Sequence, residues 1–216
     1  MKIFEETALK MSEFLLQIKA IKLNVAKPFT WASGLKSPIY CDNRLTLSYP
    51  MIRTFIRQEF ARIINEEYGQ VDVIAGVATG AIAHGVLVAQ DLGLPFVYIR
   101  SAEKKHGLGN KIEGRIDAGQ SVVVIEDLIS TGKSSLAAVD ALREAGCNVK
   151  GMLAIFSYML PKALSNFKDA NCQLFTLSNY NILIQQALNE NYISESDLNR
   201  LLKWSEDPEK WSNKYK

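Results

Sequence analysis

The sequence predicts an α/β fold: a doubly wound, mainly parallel central sheet flanked by helices, with an N-terminal hood and a C-terminal helical extension. Several short apolar runs, such as VVVI at 122–125, are continuous instead of alternating, which is typical of parallel strands buried on both faces. Segments with helical spacing of apolar residues separate these runs and supply the crossovers that a parallel sheet needs. The 216 residues suffice for one domain, with a hood at about 1–45, a core at about 50–180 and an extension at about 181–216.

The individual elements are predicted from the period of the apolar residues and from the residues that begin or end each segment. Helices are predicted at 7–23, at 50–69 between a Tyr-Pro pair and a glycine, at 81–92 before a glycine, and at 134–146. Strands are predicted at the continuous apolar runs 71–76, 95–100, 121–127, 150–158 and 172–178. A short helix is expected between the last two strands. Two prolines and a glycine predict a loop-rich segment at 27–44.

The charge balance and the cysteine pattern exclude several classes of protein. The 25 Lys and Arg residues nearly match the 23 Asp and Glu residues, and a net charge of +2 does not indicate a nucleic-acid or membrane-surface binder. Cys41, Cys147 and Cys172 are too widely spaced for a disulfide framework or a zinc site. The chain shows no signal-peptide pattern and no apolar run near the about 20 residues that span a bilayer. We therefore expect a cytoplasmic protein without nucleic-acid or membrane partners.

Ligands of doubly wound sheets bind outside the carboxyl ends of the strands. The most informative such position follows the run VVVI, where a turn of small residues leads into a helix. Backbone amides of this turn, the helix N-terminus and the hydroxyls of Ser130, Thr131 and Ser134 suit a monoester phosphate. The carboxylates of Glu126 and Asp127 only accept hydrogen bonds, which suits the vicinal hydroxyls of a sugar. Adjacent strand residues point to opposite faces, so the pattern leaves open whether both acids meet the sugar.

The same segment permits two other interpretations. A plain helix N-cap, with acids that complement the helix dipole, would need no ligand at all. A P-loop of the form G-x-x-x-x-G-K-[ST] would require a glycine at the position of Asp127, so a nucleoside triphosphatase of that kind is excluded.

The segment VVVIEDLISTGKS at 122–134 resembles the phosphoribosyl pyrophosphate (PRPP) signature of type I phosphoribosyltransferases, and its EDLISTGKS part is most similar to orotate phosphoribosyltransferases. The resemblance implies that the two acids serve the ribose hydroxyls and that residues 130–134 hold the 5-phosphate. It also implies that Ser130 approaches the base. The PRPP-binding residues implied here are Glu126, Asp127, Leu128, Ile129, Ser130, Thr131, Gly132, Lys133 and Ser134.

A charged, glycine-rich stretch follows the predicted strand 95–100. Cations there would neutralise the charge of a departing pyrophosphate and help to exclude water, although a solvated surface loop is the alternative. The stretch is similar to the catalytic loop of the family, which contacts PRPP across a dimer interface. The resemblance implies catalytic roles for Arg100, Lys104 and His106, PRPP binding by Lys105, and a homodimer that shares these residues.

Small residues at 76–85 allow backbone amides to approach a second anion, with tight helix–strand packing as the alternative. This segment is similar to the pyrophosphate-binding loop of the family, which implies PRPP binding by Ala78, Thr79 and Gly80. His84 lies in an apolar helical pattern and is predicted to be structural.

The segment FTWASGLKSPIYCDNR at 29–44 resembles the hood of orotate phosphoribosyltransferases. The resemblance implies that Ser130, Lys36 and Arg44 bind the anionic base, with the phosphates of PRPP as the alternative ligand of Lys36 and Arg44. No arginine follows 150–158 to match the orotate-binding arginine of some members, so the partner of the orotate carboxylate is left open. Trp204 and Trp211 in the extension are predicted to pack against the core.

The resemblance implies the reaction of orotate with PRPP to give orotidine 5′-monophosphate and pyrophosphate, in pyrimidine (UMP) biosynthesis. Mg²⁺ is expected as the cofactor, bound through substrate oxygens and water instead of dedicated protein ligands. Two alternatives stay open: a phosphoribosyltransferase for a purine or uracil, which the hood disfavours, and a non-catalytic PRPP-sensing regulator. The first ~45 residues contain no basic recognition helix, which disfavours the regulator.

Overall fold

The computed structural model of the chain describes residues 2–31, 33–100 and 111–215. Its helices are α1 (Glu5–Gln17), α2 (Pro50–Glu67), α3 (Ile82–Leu92), α4 (Lys133–Glu144), α5 (Pro161–Asp169), α6 (Tyr180–Asn189), α7 (Glu195–Glu206) and α8 (Pro208–Ser212). Its strands are β1 (Ile21–Leu23), β2 (Phe29–Thr30), β3 (Lys36–Ser37), β4 (Ile39–Cys41), β5 (Val73–Val77), β6 (Phe96–Ile99), β7 (Ile112–Glu113), β8 (Ser121–Ile129), β9 (Asn148–Ser157) and β10 (Leu174–Asn179). A 3₁₀ helix spans Asn43–Ser48. Within the described part of the chain, none of the helices combines the length and apolar character needed to cross a membrane.

Six strands form the central sheet, in the order β10-β9-β8-β5-β6-β7. Neighbouring strands are parallel except for β6 and β7, which pair antiparallel. Successive residues of β8 contribute to different cores: Val123 and Ile125 pack with α1, α2 and α6, whereas Val122 and Val124 pack with α4. This alternation places the central strand between two helical layers and confirms the predicted doubly wound sheet.

Several predicted boundaries differ from the structure, and two of these differences matter for the hood and the site. The helix expected at 7–23 ends at Gln17, because Lys19 adopts a positive φ of 57° and Ile21–Leu23 then pairs antiparallel with Ile39–Cys41. The apolar residues at 18 and 21 fit a helical period, but long-range pairing determines their conformation. The strand expected at 121–127 continues to Ile129, because Leu128 and Ile129 pair with β9. These two residues therefore belong to the strand and not to the turn after it.

The hood packs against the C-terminal extension. The hood consists of two small antiparallel ribbons, β1 with β4 and β2 with β3. Trp204 of α7 is fully buried, with its ring 5.7 Å from that of Trp31 and 6.0 Å from that of Tyr158. Ser212 of α8 accepts a hydrogen bond from the backbone N–H of Lys36 at 2.9 Å. Trp211 is also buried, so the predicted packing of the extension against the core is confirmed.

Candidate functional site

A cavity of about 390 Å³ lies at the carboxyl edge of the sheet. Three segments that are distant in sequence line it: the hood at 41–44, the turn after β5 at 77–80, and the end of β8 at 126–128 with the start of α4. Ile99, Arg100 and Lys111 complete the described part of the lining. The cavity therefore lies where the strand ends of a doubly wound sheet predict a ligand site.

Glu126 is the more buried of the two acids that lie side by side in β8. Its residue surface is 5% exposed, and its carboxyl accepts hydrogen bonds from Ser135 Oγ at 2.8 Å and from the backbone N–H of Asp127 at 2.9 Å. Burial, followed by the neighbouring Asp127 charge, raises the pKa of Glu126 to about 8. Glu126 thus ties the first turn of α4 to β8, in an environment that raises its pKa and favours the protonated carboxyl.

Asp127 is half-buried and lines the cavity. Its carboxylate packs against Gly80, where a Cβ atom would overlap Oδ2. Its backbone carbonyl accepts a hydrogen bond from Asn43 Nδ2 at 2.6 Å. Both acids line the cavity and Asp127 is the more exposed of the two, so binding of sugar hydroxyls by either acid stays a prediction.

The turn after β8 leads directly into α4. Gly132 is the N-cap, with a positive φ of 75°, and a Cβ there would lie 2.6 Å from Phe167 Cε2. A glycine N-cap has no side chain to accept from the first helical amides, so these amides stay available to an anion. Asn166 Nδ2 donates to the carbonyl of Thr131 at 2.9 Å and braces the turn from α5. Of residues 130–134, only Ser134 is part of the cavity lining, and binding of a phosphate by all five stays a prediction.

The turn at 78–80 lies beside Asp127 and contributes all three of its residues to the cavity lining. The Ala78–Thr79 peptide bond is cis. The backbone N–H of Ala78 donates to the carbonyl of Ile99 at 2.8 Å, which holds the turn against the end of β6. Thr79 is exposed, and Gly80 approaches the acid more closely than any larger residue would allow. The turn therefore presents backbone next to the carboxylate of Asp127.

Of the cationic residues that the sequence predicted after β6, the described part of the chain includes Arg100. Arg100 lines the cavity and is 3.4 Å from Glu113, with its backbone N–H donating to the carbonyl of Lys111. Lys104, Lys105 and His106 lie outside the described residues, so their predicted roles stay predictions.

In the hood, Arg44 lines the cavity and Lys36 does not. Arg44 forms a bidentate pair with Asp42, at 2.6 and 2.9 Å, and this pairing lowers the pKa of Asp42. The ammonium of Lys36 donates to Thr30 Oγ1 at 2.8 Å. Binding of an anionic base by Lys36, Arg44 and Ser130 stays a prediction, and of the three only Arg44 lines the cavity.

Sequence reasoning missed Asn43, which joins the hood to Asp127. Its amide contacts a residue 84 positions away, and no local pattern signals such a contact. His84 is 2% exposed and lies 3.0 Å from Thr46 Oγ1 through Nε2, in agreement with the structural role predicted for it. Burial lowers the pKa of His84 to about 4, so its ring is neutral at physiological pH.

Comparison with known proteins places this site in a family. A family model described as a phosphoribosyl transferase domain matches residues 51–191. The orotate phosphoribosyltransferase of Phocaeicola vulgatus is 58% identical over 200 residues, which cover 93% of this chain and 94% of the relative. That of Listeria monocytogenes is 54% identical over 202 residues, with 94% and 97% coverage.

Solved structures agree on the fold. An orotate phosphoribosyltransferase from Aeropyrum pernix superposes with a TM-score of 0.73 at 22% identity, covering 85% of this chain and 99% of that one. An orotate phosphoribosyltransferase from Mycobacterium tuberculosis, solved in complex with PRPP, superposes with a TM-score of 0.63 at 20% identity, covering 82% and 98%.

The fold and the matched domain define a phosphoribosyltransferase. Within that class, identity above 50% over nearly the whole length of both chains means that this protein belongs to the orotate phosphoribosyltransferase family.

Proposed function

We propose that the chain transfers the phosphoribosyl group of PRPP to orotate, giving orotidine 5′-monophosphate and pyrophosphate in pyrimidine biosynthesis. The observation that carries this proposal is the cavity in which Asp127 faces the space between the hood and the N-terminus of α4. An acceptor for sugar hydroxyls, a helix N-terminus for a phosphate and a hood for the base thus surround one volume. The volume of this cavity, about 390 Å³, lies within the range of small-molecule sites, about 300–1,000 Å³.

Each segment has one task in this proposal. The turn at 130–134 and the first amides of α4 hold the 5-phosphate, and Asp127 orients the ribose through its hydroxyls. The turn at 78–80 accepts the diphosphate, and the hood with Arg44 covers the base. Arg100, Lys104, Lys105 and His106 surround the departing pyrophosphate.

The reaction is a displacement at the anomeric carbon of the ribose. The bond from this carbon to the diphosphate oxygen breaks, and its electron pair leaves with pyrophosphate. A ring nitrogen of orotate forms the new bond to the same carbon, and the proton of that nitrogen is released to water. The transition state carries positive charge on the sugar and growing negative charge on the leaving group. The protein contributes positioning and charge stabilisation more than proton transfer.

The residues of the cavity fit a magnesium ion that the substrate carries. Among the described residues, no group of three or more His, Cys, Asp and Glu side chains converges on one point, and the Asp42 carboxylate is engaged by Arg44. Mg²⁺ usually binds through substrate phosphates, waters and at most one or two carboxylates, and Asp127 is the residue placed to supply one. When bound, Mg²⁺ would neutralise charge on the diphosphate.

The proposal includes a homodimer and a cytoplasmic location. The dimer rests on the similarity of 100–115 to a catalytic loop that is shared between subunits, and the location rests on the highly charged substrates, which do not cross membranes unaided. Sedimentation equilibrium tests the dimer directly, since a monomer at assay concentrations would contradict it.

A panel of bases tests the activity. Purified chain is incubated with PRPP and Mg²⁺, and loss of orotate, uracil, hypoxanthine and adenine is followed separately by ultraviolet absorbance. We expect rapid loss of orotate alone. Turnover of a different base would retain the phosphate and ribose sites but contradict the interpretation of the hood. Tight PRPP binding without turnover of any base would favour the PRPP-sensing regulator.

A further inference from the structure

Asn43 connects the hood to the strand that carries the two acids. It is 2% exposed and begins the 3₁₀ helix Asn43–Ser48. Its Nδ2 donates to the backbone carbonyl of Asp127 at 2.6 Å, and its Oδ1 accepts from the thiol of Cys41 at 3.1 Å. Because both ends of the amide have a partner, its orientation is determined by the two contacts. The burial of Cys41 raises the pKa of its thiol, which keeps this partner a neutral donor.

Asp127 lies where the pairing of β8 changes. Strand β5 pairs with β8 only as far as Ile125, whereas β9 pairs with β8 on both sides of Asp127, up to Ile129. Beyond the end of the β5 ladder, the hood adds a hydrogen bond to the carbonyl of Asp127 through a side chain that lies 84 positions earlier in the sequence. This bond ties the end of β8 to the hood.

The other side of Asn43 is anchored to α3, the helix that follows the turn at 78–80. Thr46 Oγ1 donates to the carbonyl of Asn43 at 2.6 Å and lies 3.0 Å from His84 Nε2. Since the single hydroxyl proton of Thr46 is used toward Asn43, its oxygen accepts from His84, which therefore carries its proton on Nε2. A continuous series of buried hydrogen bonds thus runs from His84 through Thr46 and Asn43 to Asp127.

We infer that Asn43 is a positioning residue for the ribose: by holding the backbone of Asp127 against the hood, it sets where the carboxylate of Asp127 meets the sugar hydroxyls. The inference rests on the proposed function, in which Asp127 binds the ribose. In this role Asn43 contacts Asp127 and none of the atoms that react. Its loss should therefore affect ligands that contain ribose more than ligands that contain only phosphate groups.

The test compares two ligands on variants that lack the amide donor. Asn43→Leu replaces the amide by an apolar group of similar size, and Asn43→Ala removes it with the least crowding. Calorimetry with Mg²⁺ present measures the dissociation constants of PRPP and of inorganic pyrophosphate, and thermal unfolding measures stability. We expect the constant for PRPP to rise about tenfold, because a charge-assisted contact to the ribose is misplaced. The constant for pyrophosphate should change by less than about twofold.

Asn179→Ala is the matched control. Asn179 is also a buried asparagine, 6% exposed, whose Oδ1 accepts from the backbone N–H of Ile182 at the start of α6, outside the cavity lining. This variant should unfold at a lower temperature and keep both dissociation constants.

Three outcomes would overturn the inference. Equal weakening of both ligands, or no weakening of either in folded Asn43 variants, would assign Asn43 a purely structural role. Failure of both variants to fold would do the same. Absence of PRPP binding by the wild-type chain would contradict the proposed function first, and the inference with it.

Discussion

Gly80 and Asp127 are in direct contact in the lining of the cavity. The contact is so close that a Cβ atom on Gly80 would overlap Oδ2 of Asp127. The turn after β5 and the end of β8 thus meet at a position that only glycine can occupy without moving the acid. This contact joins the segments proposed to bind the diphosphate and the ribose.

The substitution Gly80→Ala tests whether this close approach matters. The added methyl group must displace the Asp127 carboxylate or the turn, so we expect the KM for PRPP to rise at least about tenfold with a small change in stability. Steady-state kinetics and thermal unfolding measure the two effects. Gly85→Ala is the control, since its Cβ would lie 2.6 Å from Phe96 Cε2 in the core and should lower stability without changing the KM. Normal PRPP kinetics in Gly80→Ala would show that the contact is dispensable.

The two adjacent acids should respond differently to removal of their charge. Burial raises the pKa of Glu126 and favours its protonated carboxyl, which an amide resembles, so Glu126→Gln should keep PRPP affinity within about threefold. Asp127→Asn removes the acceptor that faces the cavity and should weaken PRPP about ten- to hundredfold. Calorimetric titration of both folded variants checks this order. A larger loss in Glu126→Gln than in Asp127→Asn would contradict the roles assigned to the pair.

His84 should make the fold sensitive to mild acid. Its folded pKa of about 4 lies below the ordinary value of 6.5, so protons bind the unfolded chain preferentially. Stability is therefore fully present above pH 6.5 and falls as the pH drops toward 4, by about 2 kcal/mol between pH 7.5 and pH 5. Urea unfolding at both pH values measures this loss. His84→Gln keeps a donor near Thr46 but does not titrate. Between pH 7.5 and pH 5, the variant should therefore lose about 2 kcal/mol less of its free energy of unfolding than the wild type. Identical pH dependence in the two proteins would exclude His84 as the cause.

Lys104 is the residue on which we expect the reaction rate to depend most. The resemblance of 100–115 to the family's catalytic loop leads us to expect that the Lys104 charge stabilises the departing pyrophosphate, so Lys104→Ala should lower kcat at least about a hundredfold. Circular dichroism and thermal unfolding should match those of the wild type. Unchanged turnover, or loss of the folded protein, would contradict this role.

The sequence was most informative where the determinants of structure are local. The apolar run before Glu126, the turn that follows it and the glycines at 69 and 93 identify strands, a loop and helix ends through the preferences of a few adjacent residues. These features led to the predicted phosphate site, which stays a prediction, and to the doubly wound sheet, which the structure confirms. The two-residue strand Ile112–Glu113 was not predicted, since it is too short to show a period.

Contacts between distant residues were beyond sequence reasoning. Ile21–Leu23 fits a helical period, and only its pairing with β4 makes it a strand. The burial that makes Glu126 a support for α4 depends on the packing of the whole sheet, and the contact of Asn43 with Asp127 joins two segments with no shared pattern. A single sequence does not show which surfaces fold together.

The most direct test of the central claim measures orotate consumed and pyrophosphate released in the same reaction, with wild-type chain and with Asp127→Asn. The account predicts equal amounts of both for the wild type, dependent on PRPP and Mg²⁺. It also predicts that kcat/KM for PRPP falls at least about tenfold in a variant that unfolds at the wild-type temperature. Orotate turnover that Asp127→Asn leaves undiminished would contradict the assignment of this cavity as the site of transfer.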